Sequence, residues 1–123
     1  MEKITFESIQ KEIVQYMEDV GTYNSSFNVS ISMLSKLLVD YSNARRKWEE
    51  DGSKLVIEHT NKEGHTNTVK DPLYQSMEKL RMDILTYLKE LGLTPSGLKK
   101  LKEDTFKEAQ TTSKFEELLI KLV

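Results

Sequence analysis

The side chains that could do chemistry in this sequence are few. His59 and His65 lie close together, with Glu58 and Glu63 beside them. A metal site needs several ligands at compatible spacing, and this loose set does not supply them. The chain has no cysteine, which removes disulfides, thiolate zinc sites and thiol nucleophiles, and fits a reducing compartment. Asp and Glu are abundant, but they fall beside Lys on polar faces. No two carboxylates stand isolated on an apolar face, as a paired general acid and base would. No phosphate-cradling GxxxxGKS or GxxxxGKT loop is present, and no GxGxxG, HExxH or GxSxG. The expectation is a protein that is not an enzyme and holds no metal or cofactor.

Binding chemistry is better represented. Arg45, Arg46 and Lys47 form the densest basic run, and Lys99, Lys100 and Lys102 form a second cluster. Guanidinium and ammonium groups grouped in this way are suited to phosphate contacts. Glu49, Glu50 and Asp51 follow the first run directly. On a helix they can pair with the bases three and four positions back, giving an ordinary salt-bridged surface instead. The net charge of −2 gives no overall basic character, but its distribution is uneven. Residues 1–21 carry Glu2, Glu7, Glu12, Glu18 and Asp19 against Lys3 and Lys11. Residues 73–102 carry Lys79, Arg81, Lys89, Lys99, Lys100 and Lys102 against Glu78, Asp83 and Glu90. A basic middle between acidic ends suits either a local DNA-facing surface or head-to-tail contact between subunits.

The elements that must position these groups are mostly helices. The clearest follows Asp71 and Pro72. The aspartate is a good N-cap, the proline is preorganised for the first turn, and Gly92 suits the left-handed stop. Between them Leu73, Met77, Leu80, Ile84, Tyr87 and Leu91 recur at steps of four and three, a narrow seam suited to pairing with another helix. A second long helix is expected from about residue 30 to 51, closed by Gly52. Its stripe is Ile31, Leu34, Leu38, Tyr41 and Trp48, with Arg45 in the remaining seam position. Matched stripes predict an antiparallel helical hairpin.

Residues 54–70 change period. LVIEHT alternates, NKEGH turns through Gly64, and TNTVK alternates again, so a short β-hairpin is inserted between the long helices. Because isolated hairpins are marginal in water, it is expected to dock on the helices or add to a neighbour's edge. An N-terminal helix is expected over residues 5–20, with Phe6, Ile9, Ile13, Tyr16, Met17 and Val20 on one face. A polar loop over 22–28 follows, anchored by Tyr23 and Phe27.

Thr94 and Pro95 start a short helix with Leu98 and Leu101 inward and the lysines outward. Residues 104–112 are weakly periodic, suiting a helix extension or a linker. Ser113 and Glu116 then form a capping box for a last short helix carrying Phe115, Leu118, Leu119 and Leu122. Such a helix is unstable alone and must dock on a core or a partner.

The fold class expected is therefore mainly α, in one domain over 1–123. Residues 1–28 form the N-terminal helix and loop, 29–102 the helical hairpin core with its β-hairpin at 54–70, and 103–123 the C-terminal helix. A chain of 123 residues buries one modest core, so copies of itself are candidates to cover what remains apolar. With 37% hydrophobic and 31% charged residues, no apolar run approaches the roughly 20 residues a bilayer span needs. The start, MEKITFES, lacks the pattern of a signal peptide.

Several of these residues also carry a family resemblance. Leu37, Tyr41, Arg45, Trp48 and Gly52, a hairpin with Gly64, the Asp71-Pro72 helix start and the run Leu91-Gly92-Leu93-Thr94-Pro95-Ser96 follow in order. Over roughly residues 37–101 the chain resembles the small terminase subunits of tailed phages, in the P27 (HK97-type) group. Asp71 stands where that group usually has Asn, and Gly97-Leu98 occupies the place where it often has Arg.

The resemblance implies a non-catalytic DNA-packaging component, acting in the cytoplasm of the bacterial host. Its subunits assemble into a ring through the helical hairpin, bind double-stranded viral DNA at the packaging start, and present it to the large ATPase and nuclease subunit. Arg45, Arg46, Lys47, Lys99, Lys100 and Lys102 are the DNA candidates. Tyr41, Trp48, Leu73, Met77, Leu80, Ile84 and Tyr87 are the self-association candidates, some of which must instead close the hairpin within one subunit. Phe115, Leu118, Leu119 and Leu122 are the candidates for meeting a neighbouring or large subunit. No membrane is implied. The alternatives are a helix-turn-helix regulator reading DNA with the helix after Thr94, and a helical adaptor that binds no nucleic acid.

Overall fold

The computed structural model describes residues 4–122, and the side chains of all of these except 105–117 and 122. The described residues form four α-helices and one two-stranded sheet: α1 (Phe6–Asp19), α2 (Asn28–Glu50), β1 (Val56–Thr60), β2 (Thr66–Lys70), α3 (Pro72–Glu90) and α4 (Pro95–Leu122).

Local chemistry explains where each begins. Thr5 caps α1 by accepting from the Ser8 amide at 3.2 Å, while the Ser8 hydroxyl accepts from the Thr5 amide at 3.2 Å. A 3-10 turn at Ser25–Phe27 runs directly into α2, so that helix starts slightly earlier than its apolar stripe implies. Asp71 accepts from the Leu73 amide at 2.8 Å and the Tyr74 amide at 3.2 Å, which satisfies two of the free donors at the start of α3. Thr94 does the same for α4 through the Gly97 amide at 3.0 Å.

α2 and α3 form the expected antiparallel hairpin. Trp48, near the end of α2, faces Tyr74, near the start of α3. Seven residues back along α2, Tyr41 lies under Arg81, seven residues forward along α3. The core gathers toward the other end of the pair. Met17, Ile31, Leu34 and Leu91 are fully or almost fully buried there, joined by Ile13 and Ile84. α1 packs along α2 and contributes Ile13 and Met17 to this core, and Tyr23 and Phe27 tuck the loop onto it. The buried Ser35 hydroxyl donates to the Ile31 carbonyl at 2.7 Å, so its polarity is satisfied within the helix.

Two expectations leave alternatives that the structure narrows. The β-hairpin is expected to dock on the helices or to add to a neighbour's edge, and it does not dock on its own helices. In β1 only Ile57 is partly covered and every residue of β2 is exposed, although the register is regular from Val56 opposite Lys70 to Thr60 opposite Thr66. Only its base is tied down. The Asp71 amide donates to the Leu55 carbonyl at 2.9 Å and the Trp48 indole donates to the Lys54 carbonyl at 2.7 Å. Five-residue strands carrying Glu, His, Thr and Asn offer too little apolar surface to fold back.

The second concerns the C-terminus. Residues 104–112 suit either a helix extension or a linker, and the structure has the extension: the short helix and the last helix are joined in a single helix, α4, of 28 residues. The stretch after Gly97 contains no proline or glycine and includes Glu103, Lys107, Glu108, Ala109 and Gln110, all compatible with helix. The weak periodicity of residues 104–112 does not mark a break in the helix. The Ser113 capping box and Phe115 lie among residues whose side chains are not described.

Candidate nucleic-acid and assembly surfaces

The two basic clusters sit at opposite ends of the α2–α3 pair. Arg45, Arg46 and Lys47 lie at the β-hairpin end, on the exposed side of α2. Lys99, Lys100 and Lys102 lie on the first turns of α4, beyond the opposite end of α3. With 19 residues in α3 the clusters are separated by roughly 28 Å of helix. They are therefore two surfaces, not one.

Their electrostatics differ. Arg45 is held by Glu49 at 2.9 Å, an exposed pair one helical turn apart, and Arg46 donates to the Asn43 side chain at 3.2 Å. Among the described residues, Arg46, Lys47, Lys99, Lys100 and Lys102 form no salt bridge. The α4 lysines also stand near a helix N-terminus, where backbone amides add partial positive charge. Glu90 and Asp104 share a shallow hollow with Lys100 without pairing to it. Of the two clusters, only the α2 run has a member in an ion pair among the described residues; Glu103 and Asp104 follow the α4 lysines without pairing to them.

A third cationic feature was not singled out from the sequence. The Arg81 guanidinium lies 5.7 Å from the centre of the Tyr74 ring and 6.0 Å from that of Tyr41. Lys70 also lies over the Tyr74 ring, 5.9 Å from its centre, and pairs with Glu78 at 2.8 Å. Cations over aromatic faces are attracted by the ring quadrupole. The signal available in the sequence was Tyr74 and Arg81 two turns apart on one helix. It was obscured because their partner Tyr41 lies on the other long helix.

Most self-association candidates are occupied within the chain. Met77 and Ile84 are buried between the helices. Tyr41, Leu80 and Tyr87 are partly buried against the core, and Trp48 and Leu73 are half-buried near the β-hairpin base. Large apolar groups left exposed include Met82 and Leu85 on the outer side of α3 and Leu118, Leu119 and Ile120 near the end of α4. The Met82–Leu85 pair, spaced three apart and off the seam, was visible in the sequence but overshadowed by the longer stripe. Leu122, like Phe115, has no described side chain.

Among the described residues, no group of three or more His, Cys, Asp or Glu is arranged to hold a metal ion. His59 sits opposite Asn67 in the hairpin. The His65 amide donates to the Asn61 side chain at 3.0 Å in the turn. No described helix is long and apolar enough to cross a membrane.

These features define a helical-hairpin protein with separate cationic and apolar surfaces, suited to binding and assembly. A sequence model of the phage terminase small subunit family matches residues 8–108, and the chain belongs to that family. The match reaches beyond the 37–101 stretch that carries the resemblance, taking in most of α1 and the first half of α4. The family is generally the non-catalytic subunit of the terminase and points to a role in phage DNA packaging. No curated protein matches the chain, and no solved structure does.

Proposed function

We propose that this chain is a small terminase subunit of the P27 (HK97-type) group that binds double-stranded viral DNA at the packaging start as a ring of identical copies. It has no catalytic role of its own, acts in the cytoplasm of the bacterial host, and recruits and regulates the large ATPase–nuclease subunit. The observation that carries this reading is the family match across residues 8–108, which spans the helical hairpin and both basic clusters.

The surfaces support it in two ways. Unpaired cations repeated around a ring add their phosphate contacts by avidity, so a net charge of −2 per chain is no obstacle. Apolar groups left exposed on α3 and α4 offer contacts between copies and with the large subunit. DNA is met chiefly by Lys99, Lys100 and Lys102, with Arg46 and Lys47 secondary.

Electron microscopy of the purified protein, with duplex retention measured against salt, tests the proposal. The expected result is a closed ring with a central channel and DNA binding that weakens steeply as salt rises. A stable monomer at micromolar concentration, with no duplex retained at about 50 mM salt, would overturn it.

A further inference from the structure

We infer that the distal end of α4 docks in the hollow along α1 of the next copy, so that each subunit offers one tail and one groove. The inference rests on the self-assembly reading above and names the contact that carries it.

The groove is a hollow of about 700 Å³ bounded by Ile4, Ile9, Ile13, Tyr16, Leu38 and Leu93, with Glu12 on its lining. It is open to solvent: Ile4 is 54% exposed and Tyr16 40%. It follows α1, whose 14 residues extend about 21 Å, room for several turns of a second helix.

The tail has matching chemistry. Leu118 and Leu119 are 57% and 47% exposed, and Lys121 is the cation beside them. An aliphatic pair flanked by a lysine complements an aliphatic trough containing one carboxylate.

The tail cannot fill its own groove. α4 starts at Pro95, next to the groove residue Leu93, and continues as one helix to Leu122. Leu118 therefore stands about 35 Å along the axis from Pro95. A continuous helix cannot turn back over that length. An occupant therefore comes from another molecule, and a second copy supplies a matching helix in equal number. Tail and groove are different surfaces, so the contact is heterologous. Repetition of such a contact closes a ring when the rotation permits.

The absence of cysteine allows a direct test in the full chain. With Tyr16→Cys and Leu119→Cys together, a short bismaleimide should give a ladder of covalent oligomers. Tyr16→Cys alone and Leu119→Cys alone should give none. In a second arm, Leu118→Glu with Leu119→Glu removes the tail, and Ile4→Glu with Tyr16→Glu removes the groove. Each variant should be monomeric by light scattering with its helical circular dichroism intact, and mixing the two should give dimers, since one intact tail meets one intact groove. Wild-type oligomers without a ladder would overturn the inference while leaving the ring reading standing, and would move the contact to the Met82–Leu85 side of α3. A monomeric wild-type protein would overturn both.

Discussion

Trp48 and Tyr74 stand with ring centres 5.7 Å apart and planes inclined by 35°, closing the helical hairpin where the chain leaves it for the β-strands. The same indole donates to the Lys54 carbonyl at 2.7 Å, so one side chain joins α2, α3 and the base of the β-hairpin. The core lies toward the opposite end of the hairpin, which makes this contact the principal clasp here. Trp48→Phe keeps the ring contact and loses the hydrogen bond, with an expected cost of about 1 kcal/mol. Trp48→Ala loses both, at about 2–3 kcal/mol. Urea unfolding followed by circular dichroism at one fixed protein concentration measures the difference, because assembly itself shifts apparent stability.

The start of α3 gives a more conservative test. The Asp71 carboxylate accepts two backbone amides through one oxygen, so an amide oxygen in its place can do the same. Asp71→Asn should change stability by no more than a few tenths of a kcal/mol, while Asp71→Ala should cost about 1 kcal/mol. If Asn proved as damaging as Ala, the carboxylate's charge rather than its hydrogen bonds would be what holds this end.

The long-helix hairpin was legible because its determinants are local. Asp71, Pro72 and Gly92 mark the ends of α3, and Met77 and Ile84 mark a seam that is in fact buried. What was not legible depended on distant partners. The polar composition of residues 56–60 and 66–70 was in plain view, but alternation alone did not show whether a helix lies beneath these strands. Nothing in the weak periodicity of residues 104–112 separates a helix extension from a linker. The Arg81 cluster needed the alignment of α2 with α3 before Tyr41 and Tyr74 could be seen as its two flanks. The basic runs themselves were plain. Their separation to opposite ends became clear only when the hairpin was folded.

Gly97 is required by close approach. Its φ is not in the left-handed region, but a Cβ there would lie well inside contact distance of the Lys89 carbonyl oxygen. That oxygen belongs to the last turn of α3, so relief requires α4 to shift as a body. Gly97→Ala should destabilise the fold by about 1–3 kcal/mol, the usual range for forced overpacking. Because α4 leaves the core from this turn, the variant should also redirect the helix and weaken assembly. Thermal unfolding and light scattering on the same sample would show both effects. Alanine tolerated without loss in either measurement would mean that the α3–α4 turn is looser than this contact implies.

The two basic clusters make opposed predictions for DNA. Lys99, Lys100 and Lys102 are exposed, lack a salt bridge among the described residues and lie on the opening turns of a helix. Arg46 and Lys47 are equally exposed and also lack a salt bridge among the described residues, and acids follow both clusters directly, but Arg46 is engaged by Asn43 and its neighbour Arg45 is already paired with Glu49. Replacing the three lysines together by Gln removes charge without adding repulsion. For each subunit that touches duplex, the slope of log affinity against log salt should fall by about 2–3, since each lost phosphate contact removes roughly 0.9. Arg46→Gln with Lys47→Gln should lower it by less than 1 per subunit. Both sets must leave the mass by light scattering unchanged, so that the slope reports contacts and not loss of the ring. Equal effects from the two sets would place duplex along the full height of the hairpin, consistent with DNA passing through a channel. An effect from the arginine set alone would move the DNA surface to the β-hairpin end.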